Sequence, residues 1–400
     1  MKNFATIEEV CEIVTDGTHY TPKNIGVGIP FLTVKDVTDE QLDFINCSFI
    51  SDIDYQTAKL GNSAPQKGDV LFSKDGTVGK VHIVNTDNSF AVLSSLAILR
   101  PNKKLIESQY LGNVLRLPLV LDDALKRKTG SAIRRIILAD LKRVRFPLPS
   151  LEEQKRIAEI LDQAEELRTK RRDAIAQLNT LTQSIFLEMF GDPVRNPKGW
   201  KTLNFGEIAP EKGLIVDGPF GSTLKPECYV EAGVRVIRNF NINDAFFDGS
   251  KFVYITKNKF AEIYRSHVCT GDILLSTKGT IGDVCVMPNL LGDSVLSASG
   301  TVRIRLPINS PLIADFIVYQ MIQSSYKQYM KSFEAGTNQK YLNLSRIRQM
   351  EFIVPSLNLQ QEFAQRVESV EKLKASHRAS LSELDALFAS LQHRAFRGEL

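Results

Sequence analysis

A glycine-rich element carrying lysine and threonine side chains occurs twice in this chain. Gly68 to Val84 reads GDVLFSKDGTVGKVHIV and Gly271 to Met287 reads GDILLSTKGTIGDVCVM, with Gly68, Asp69, Leu71, Ser73, Gly76, Thr77, Gly79 and Val81 recurring at a constant shift. Turns of this kind let backbone amides and short donors come close to phosphate oxygens. The candidate contacts are Lys74, Thr77 and Lys80 in the first copy and Thr277, Lys278 and Thr280 in the second. The element also has a structural use, because Asp75-Gly76 and Lys278-Gly279 suit positive-φ turn positions between β-branched strands of a hairpin. The glycines are assigned to that hairpin, and the lysines and threonines to the candidate surface.

Constellations that would make the chain an enzyme are missing from the sequence. There is no GxxxxGK[ST] phosphate loop, no GxGxxG opening a helix after a strand, and neither HExxH nor GxSxG. Asn196-Pro197 continues with Lys198-Gly199, unlike the Asn-Pro-Pro-aromatic motif of base-amino methyltransferases. Glu153 and Lys155 resemble a fragment of a nuclease motif, but they open a helix and lack a partner acid on a strand. His19, His82, His267, His377 and His393 are isolated. Cys11, Cys47, Cys228, Cys269 and Cys285 form no CxxC pair and read as small buried residues in a reducing compartment. No metal site is expected. The polar start MKNFATIEEV and the lack of a long apolar run point to a soluble, cytoplasmic protein without a membrane segment.

The elements that position the repeated turns are themselves repeated. At 400 residues with a formal net charge of +4, the chain is too long for one ordinary core and only slightly basic. Basic residues cluster locally, at Lys126, Arg127, Lys128, Arg134, Arg135, Lys142, Arg143 and Arg145. Such a run is either a solvated face or a surface for an acidic polymer. From Met1 to about Pro149, short alternating runs such as IPFLTVKDV and SFAVLSSLAILR, broken by turn residues, predict a strand-rich domain with a helix near Tyr110 to Lys128. The stretch from about Trp200 to Pro355 repeats that texture, with GVRVIRNFNI as a strand and ADFIVYQMIQSSYKQYMK as its helix. Each is an α+β domain.

Two long helices follow the domains, introduced by PSLEEQKRIAEIL at Pro149 and PSLNLQQEFAQRV at Pro355. In the first, Ile157, Ile160, Ala164, Leu167, Arg171, Ala174, Leu178, Leu181 and Ile185 alternate three and four apart, which is a coiled-coil seam. The second carries Phe363, Val367, Val370, Lys374, His377, Leu381, Leu384, Phe388, Leu391 and Ala395 in the same alternation. Arg171 and His377 match under the repeat and suit residues that set register. Ser150 with Glu153 predicts a capping box, Ser356 a second cap, and Gly191 and Gly398 the two ends. Forty residues make a helix of roughly 60 Å. Connectivity makes the pair antiparallel, since the second helix must travel back from the second domain, with the two domains at opposite ends. The expected organisation is therefore 1–149 as one domain, 150–190 as a helical spacer, 191–355 as linker and second domain, and 356–400 as a second spacer.

Taken together, the chain resembles the specificity subunit of type I restriction–modification enzymes. The resemblance spans essentially the whole sequence. It rests on DGTHYTPKNIGVGIPFLTVKDV from Asp16, both GDxLxSxxGTxG elements, FPLPSLEEQKRIAEILDQAEEL from Phe146, IFLEMFGDPVRNPKGWK from Ile185 and GTNQKYLNLSRIRQMEFIVPSL from Gly336. It implies two target recognition domains, each reading one half of a split double-stranded DNA site, which the unlike residues at equivalent loops predict to be asymmetric, and helical regions that dock two modification subunits. Those partners would carry the adenine methyltransferase chemistry and S-adenosylmethionine. A restriction subunit using ATP and magnesium would join for cleavage, and this chain itself would bind no cofactor. In the second half, Asn338, Gln339, Lys340 and Tyr341 look like the family's polar loop, with amides suited to adenine. The first half departs here, with Lys128, Ser131, Ala132, Ile133, Arg134 and Arg135 suited to guanine or to phosphate alone. Thr18, His19, Tyr20 and Lys23, and Ser222, Thr223 and Lys225, are further loop candidates. The other reading of the same residues is a coiled-coil adapter with no DNA affinity.

Overall fold

The computed structural model describes residues 4–38, 41–117, 136–298, 300–336 and 340–400. It divides into two compact units, 1–171 with 380–400, and 172–379. Both units follow one plan, and both are of mixed α and β structure. Each begins with a short strand paired antiparallel to the strand just before a long helix: Phe4–Thr6 with Arg145–Pro147, and Lys201–Asn204 with Glu351–Val354. The residue ending each first strand caps a short helix reciprocally. Thr6 and Asn204 accept from the amides of Glu9 and Glu207, whose carboxylates accept from the Thr6 and Asn204 amides in return.

A four-stranded antiparallel sheet forms the centre of each unit. In the first its order is Cys11–Asp16, Leu96–Pro101, Val70–Ser73 and Val81–Ile83; in the second it is Ile215–Asp217, Thr301–Ile304, Ile273–Ser276 and Val284–Val286. The inner strands are buried, apart from the half-buried Arg100, because both faces are covered. Val70 and Phe72 face one hydrophobic core while Leu71 faces another, and Ile273 and Leu275 divide from Leu274 in the same way. A second sheet, of three strands in the first unit and five in the second, supplies the other cover, with Ile29–Leu32 parallel to Ala91–Val92 in the first unit and Val234–Ile237 parallel to Ser294–Leu296 in the second.

The aspartate of each GD pair is structural. Asp69 accepts from the Gln66 amide and holds the Arg100 guanidinium at 3.0 and 2.9 Å, and Asp272 accepts from the Cys269 amide and holds Arg305 at 2.7 Å twice. A two-pronged ion pair of this kind fixes orientation as well as charge. In the turns themselves Gly76, Gly79, Gly279 and Gly282 take positive φ. Asp75 and Lys278 do not share that conformation, so only the glycines of the expected pairs use it.

The first long helix runs Leu151–Phe190, 40 residues, and the second Leu357–Arg397, 41 residues. Gly191 and Gly398, at φ 79° and 68°, follow their last turns. Ser150 Oγ accepts from the Glu153 amide at 3.3 Å. The root of each helix is held by a fully buried glutamine. Gln154 accepts from the Glu107 amide and donates to the Leu105 and Pro149 carbonyls at 2.9 to 3.0 Å. Gln360 repeats all three bonds with the Ile313 amide and the Pro311 and Pro355 carbonyls.

Each unit takes a stretch of both helices, running in opposite directions. In the first, Arg168 meets Asp385 and Phe388, while Ile157 and Leu161 share a core with Ala395 and Leu391. In the second, Thr182 meets Lys374, and Phe186 and Phe190 pack edge-to-face on Phe363. The far ends dock by aromatics, Phe396 against Tyr110 and Phe190 against Phe316. On the second helix the inward positions follow the spacing read from sequence: Phe363, Val367, Val370, Lys374 and Ala395 are buried, and His377, Leu381, Leu384, Phe388 and Leu391 half-buried. On the first, Ile157 and Ala164 are buried and Arg171, Leu178 and Ile185 half-buried, but the intervening position shifts by one residue. Leu161, Arg168 and Thr182 turn inward in place of Ile160, Leu167 and Leu181, leaving Leu167 and Leu181 50% and 45% exposed. The reason is that two interior places are polar and matched. Arg168 lies 4.4 Å over the Phe388 ring and bonds Glu165 and Asp385, while Lys374 bonds Thr182 at 3.3 Å and Glu371 at 2.6 Å. One further difference concerns residues 314–331, which form two helices, Ala314–Met321 and Ser324–Lys331, instead of one. Gln323 breaks the run and its side chain bonds back to the Tyr319 carbonyl, which lets Tyr326 and Met330 enter the core.

Replacing the fully buried Gln154 by Leu strips three backbone groups of their partner and is expected to cost about 3 kcal/mol of unfolding free energy, measured by chemical denaturation. A loss below about 1 kcal/mol would show the clamp to be dispensable. Lys374 behaves differently. Burial lowers its pKa despite Glu371, so at neutral pH the folded state carries a penalty for holding its charge, a penalty that fades as pH rises toward the ordinary lysine range. Glu371 keeps the Tyr319 hydroxyl and Arg378 as partners. Lys374→Met should therefore be neutral or raise the thermal midpoint, and a clear fall would contradict this reading.

Candidate nucleic-acid interface

The registers of the central sheet gather the candidate loops at one end of each unit. In the second, Asp217 lies opposite Val302 and Ser276 opposite Thr301, so the segments after Asp217, after Ser276 and before Thr301 leave from the same edge. In the first, Asp16 opposite Ala97 and Ser73 opposite Leu96 do the same. Two more segments join them. The turn after the inner strand of the second sheet is tied to the glycine-rich turn, by Asn239 Nδ2 to the Lys278 carbonyl at 2.6 Å in one unit and by Lys80 Nζ to the Val34 and Val37 carbonyls at 3.0 and 2.9 Å in the other. The polar loop also returns here: the Leu342 amide donates to the Thr277 carbonyl, and the Ile136 amide to the Lys74 carbonyl.

Within this cluster the predicted residues divide into inward and outward sets. Lys74 is 1% exposed, its Nζ 3.5 Å from Asp16 and 3.1 Å from Asp75. It is a buried ion-pair residue, where the sequence suggested a phosphate contact. Lys80 is committed to the Val34 and Val37 carbonyls, Thr277 is buried, and Thr18 is buried with its hydroxyl on the Tyr20 carbonyl at 2.9 Å. These four shape the loops from inside. His19, Tyr20, Lys23, Thr77, Ser222, Lys225, Thr280, Lys340 and Tyr341 are exposed, and Thr223 and Lys278 half-buried. Lys278 lies 5.9 Å from the centre of the Tyr341 ring, which brings the glycine-rich turn and the polar loop together as one surface. Lys340 pairs with Glu334 at 3.1 Å. Lys128, Ser131, Arg134, Arg135, Asn338 and Gln339 lie outside the described residues.

Asp16 is the electrostatic centre of the first surface. Burial pushes its carboxyl upward, and Lys74 and then His19 pull it partly back. A cleft of about 360 Å³ opens beside it, lined by Thr18, His19, Tyr20, Ser63 and Leu138. The equivalent aspartate, Asp217, meets Arg265 at 2.5 Å instead, while Ser63 and Ser266 donate to the Asp16 and Asp217 carbonyls alike. Sequence reasoning passed over several residues at this edge, above all Asn239, Phe240 and Phe220. The repeat was the available signal, because Asn239 and Phe240 fall where the first unit has Val34 and Lys35. Among the described residues, no cluster of three His, Cys, Asp or Glu side chains could hold a metal ion, and no helix is long and apolar enough to cross a membrane.

A family model described as the type I restriction modification DNA specificity domain matches residues 2–178 and 233–386, one match for each half of the repeat. The chain belongs to that family. Its function is recognition of a DNA sequence. Among relatives, it is 23% identical to the type I restriction enzyme MjaVIII specificity subunit of Methanocaldococcus jannaschii over 386 residues, covering 91% of this chain and 88% of that one. It is 29% identical over 170 residues to the type I restriction enzyme EcoBI specificity subunit of Escherichia coli, covering 41% and 35%. In fold it is similar to the crystal structure of the type I restriction-modification system S subunit from M. genitalium, with a TM-score of 0.53 at 17% identity over 99% of this chain and 96% of that one.

The inward and outward lysines of these specificity domains should separate in experiment. Lys74→Ala leaves Asp16 buried without its cation and should cost about 3 kcal/mol of stability. Lys278→Ala should leave the thermal midpoint unchanged, weaken DNA binding, and flatten the log–log salt dependence by about one phosphate contact. Equal loss of stability in both variants would show that burial does not separate their roles.

Proposed function

We propose that this chain is the non-catalytic DNA-reading subunit of a type I restriction–modification complex, each unit reading one half of a split, asymmetric site. The observation that carries this is one loop-bearing sheet edge built twice in a single chain, with unlike residues at equivalent places: Lys74 against Thr277, Lys80 against Asp283, and Lys35 against Phe240. A shared scaffold with different loop chemistry suits two different short sequences. Backbone phosphates supply affinity and base edges supply discrimination.

On this reading the long helices dock two modification subunits, which bind S-adenosylmethionine and methylate adenine. Restriction subunits using ATP and magnesium complete the assembly, which works in the cytoplasm. The half-site read by the second unit draws on Lys278, Thr280, Lys340 and Tyr341, together with Asn338 and Gln339. The half-site read by the first draws on His19, Tyr20, Lys23 and Thr77, with Lys128, Ser131, Arg134 and Arg135.

Exchanging residues 200–355 for the corresponding segment of another specificity subunit, followed by methylation mapping in cells carrying the modification partner, should change one half of the modified motif and leave the other intact. Alteration of both halves would rule out modular reading. Binding that shows no salt dependence or no DNA affinity would instead favour an adapter role.

A further inference from the structure

The turn at the tip of the second sheet closes on the same pair of bonds in the two units yet presents opposite chemistry. In the second unit the Arg238 amide donates to Asn241 Oδ1 at 2.9 Å and the Asn241 amide to the Arg238 carbonyl at 2.8 Å. Asn241 is fully buried, its Nδ2 donating to the Asp248 and Lys251 carbonyls. In the first unit the Thr33 amide donates to Asp36 Oδ2 at 2.7 Å and the Asp36 amide to the Thr33 carbonyl at 3.0 Å. Asp248 and Asp43 close the two turns with matching backbone bonds of 2.8 Å. The residue held at the outer position is Lys35 in one unit and Phe240 in the other, both exposed.

Phe240 is 49% exposed on a turn tied by a side chain to its neighbour. Asn239 locks that turn to the Lys278 carbonyl at 2.6 Å, and Gly300, at φ 89°, closes on Asn239 so tightly that an added Cβ would stand 3.2 Å from its amide nitrogen. A rigid tip leaves an aromatic ring in water only at a cost in apolar exposure. Its location is the same edge that carries Lys278 and Tyr341. A phenyl ring has no hydrogen bond to offer a base, and the apolar group on a base edge in the major groove is the thymine methyl. We propose that Phe240 is a specificity residue of the second domain that packs on a thymine methyl, with Asn239 as its positioning residue. Lys35 at the equivalent place suits guanine or phosphate, so the two domains diverge in what they read at this position. Of the two exposed phenylalanines at this edge, Phe240 is the one with a side-chain-anchored counterpart in the first unit.

The inference rests on the DNA-reading function and can fail separately from it. The full chain with its modification partner is tested on its mapped two-part target, each thymine of the second half-site being replaced in turn by deoxyuridine, which removes only the methyl group. Wild type should lose roughly fourfold in affinity at one position, the worth of one buried methyl. Phe240→Ala should lose the same on the natural target and nothing further on that deoxyuridine target, with its thermal midpoint and its reading of the first half-site unchanged. If every deoxyuridine affects both proteins equally, or Phe240→Ala weakens all DNA without regard to the methyl, the proposal is overturned while the DNA-reading function stands. A wild-type complex with no sequence preference would overturn that function and this inference with it.

Discussion

Two buried glutamines hold the arrangement on which every other feature depends. Gln154 and Gln360 sit where a long helix leaves its globular portion, and each, itself fully buried, bonds one amide and two carbonyls. An apolar side chain of the same size would fill the space but not the hydrogen bonds. With the root of the helix fixed in this way, the short strand before it pairs with the first strand of the unit, and the direction of the helix relative to its own sheet is set.

Polar residues inside the helix pair add a second constraint. Arg168 and Lys374 hold equivalent places, each with a glutamate three residues before it, yet one is matched to a phenylalanine ring and the other to a threonine hydroxyl. Charges in a seam stabilise little by themselves, because desolvation offsets most of the attraction. They do penalise registers in which they would meet apolar neighbours, and that suits a pairing that has to recur faithfully in both units.

The loop-bearing edge of each central sheet follows a different rule from the scaffold. Among the residues that repeat without change, Asp69 and Asp272 and Ser73 and Ser276 bond inward and hold turns or guanidinium partners, while Thr77 and Thr280 stay exposed. Those that differ between the copies either face outward, as Lys35 and Phe240 do, or determine how the loops are tied, as Lys80 and Asn239 do. Loops on a fixed support can change their chemistry without disturbing the core, and the two units of this chain differ in that way.

By itself, the amino-acid sequence determined the duplication, the α+β texture of each half, the two long helices with their glycine stops, and the inward face of the second helix. These depend on local periodicity and on repetition, which need no knowledge of what lies opposite. Only the tertiary structure decided which lysines face outward. Lys74 and Lys278 sit one residue apart in the same repeated motif, but the first is buried between Asp16 and Asp75 and the second stands beside Tyr341. Burial depends on residues distant in the chain. The same cause explains the shifted positions on the first helix, where Arg168 and Thr182 turn inward because Phe388 and Lys374 receive them, while the more apolar Leu167 and Leu181 stay in solvent.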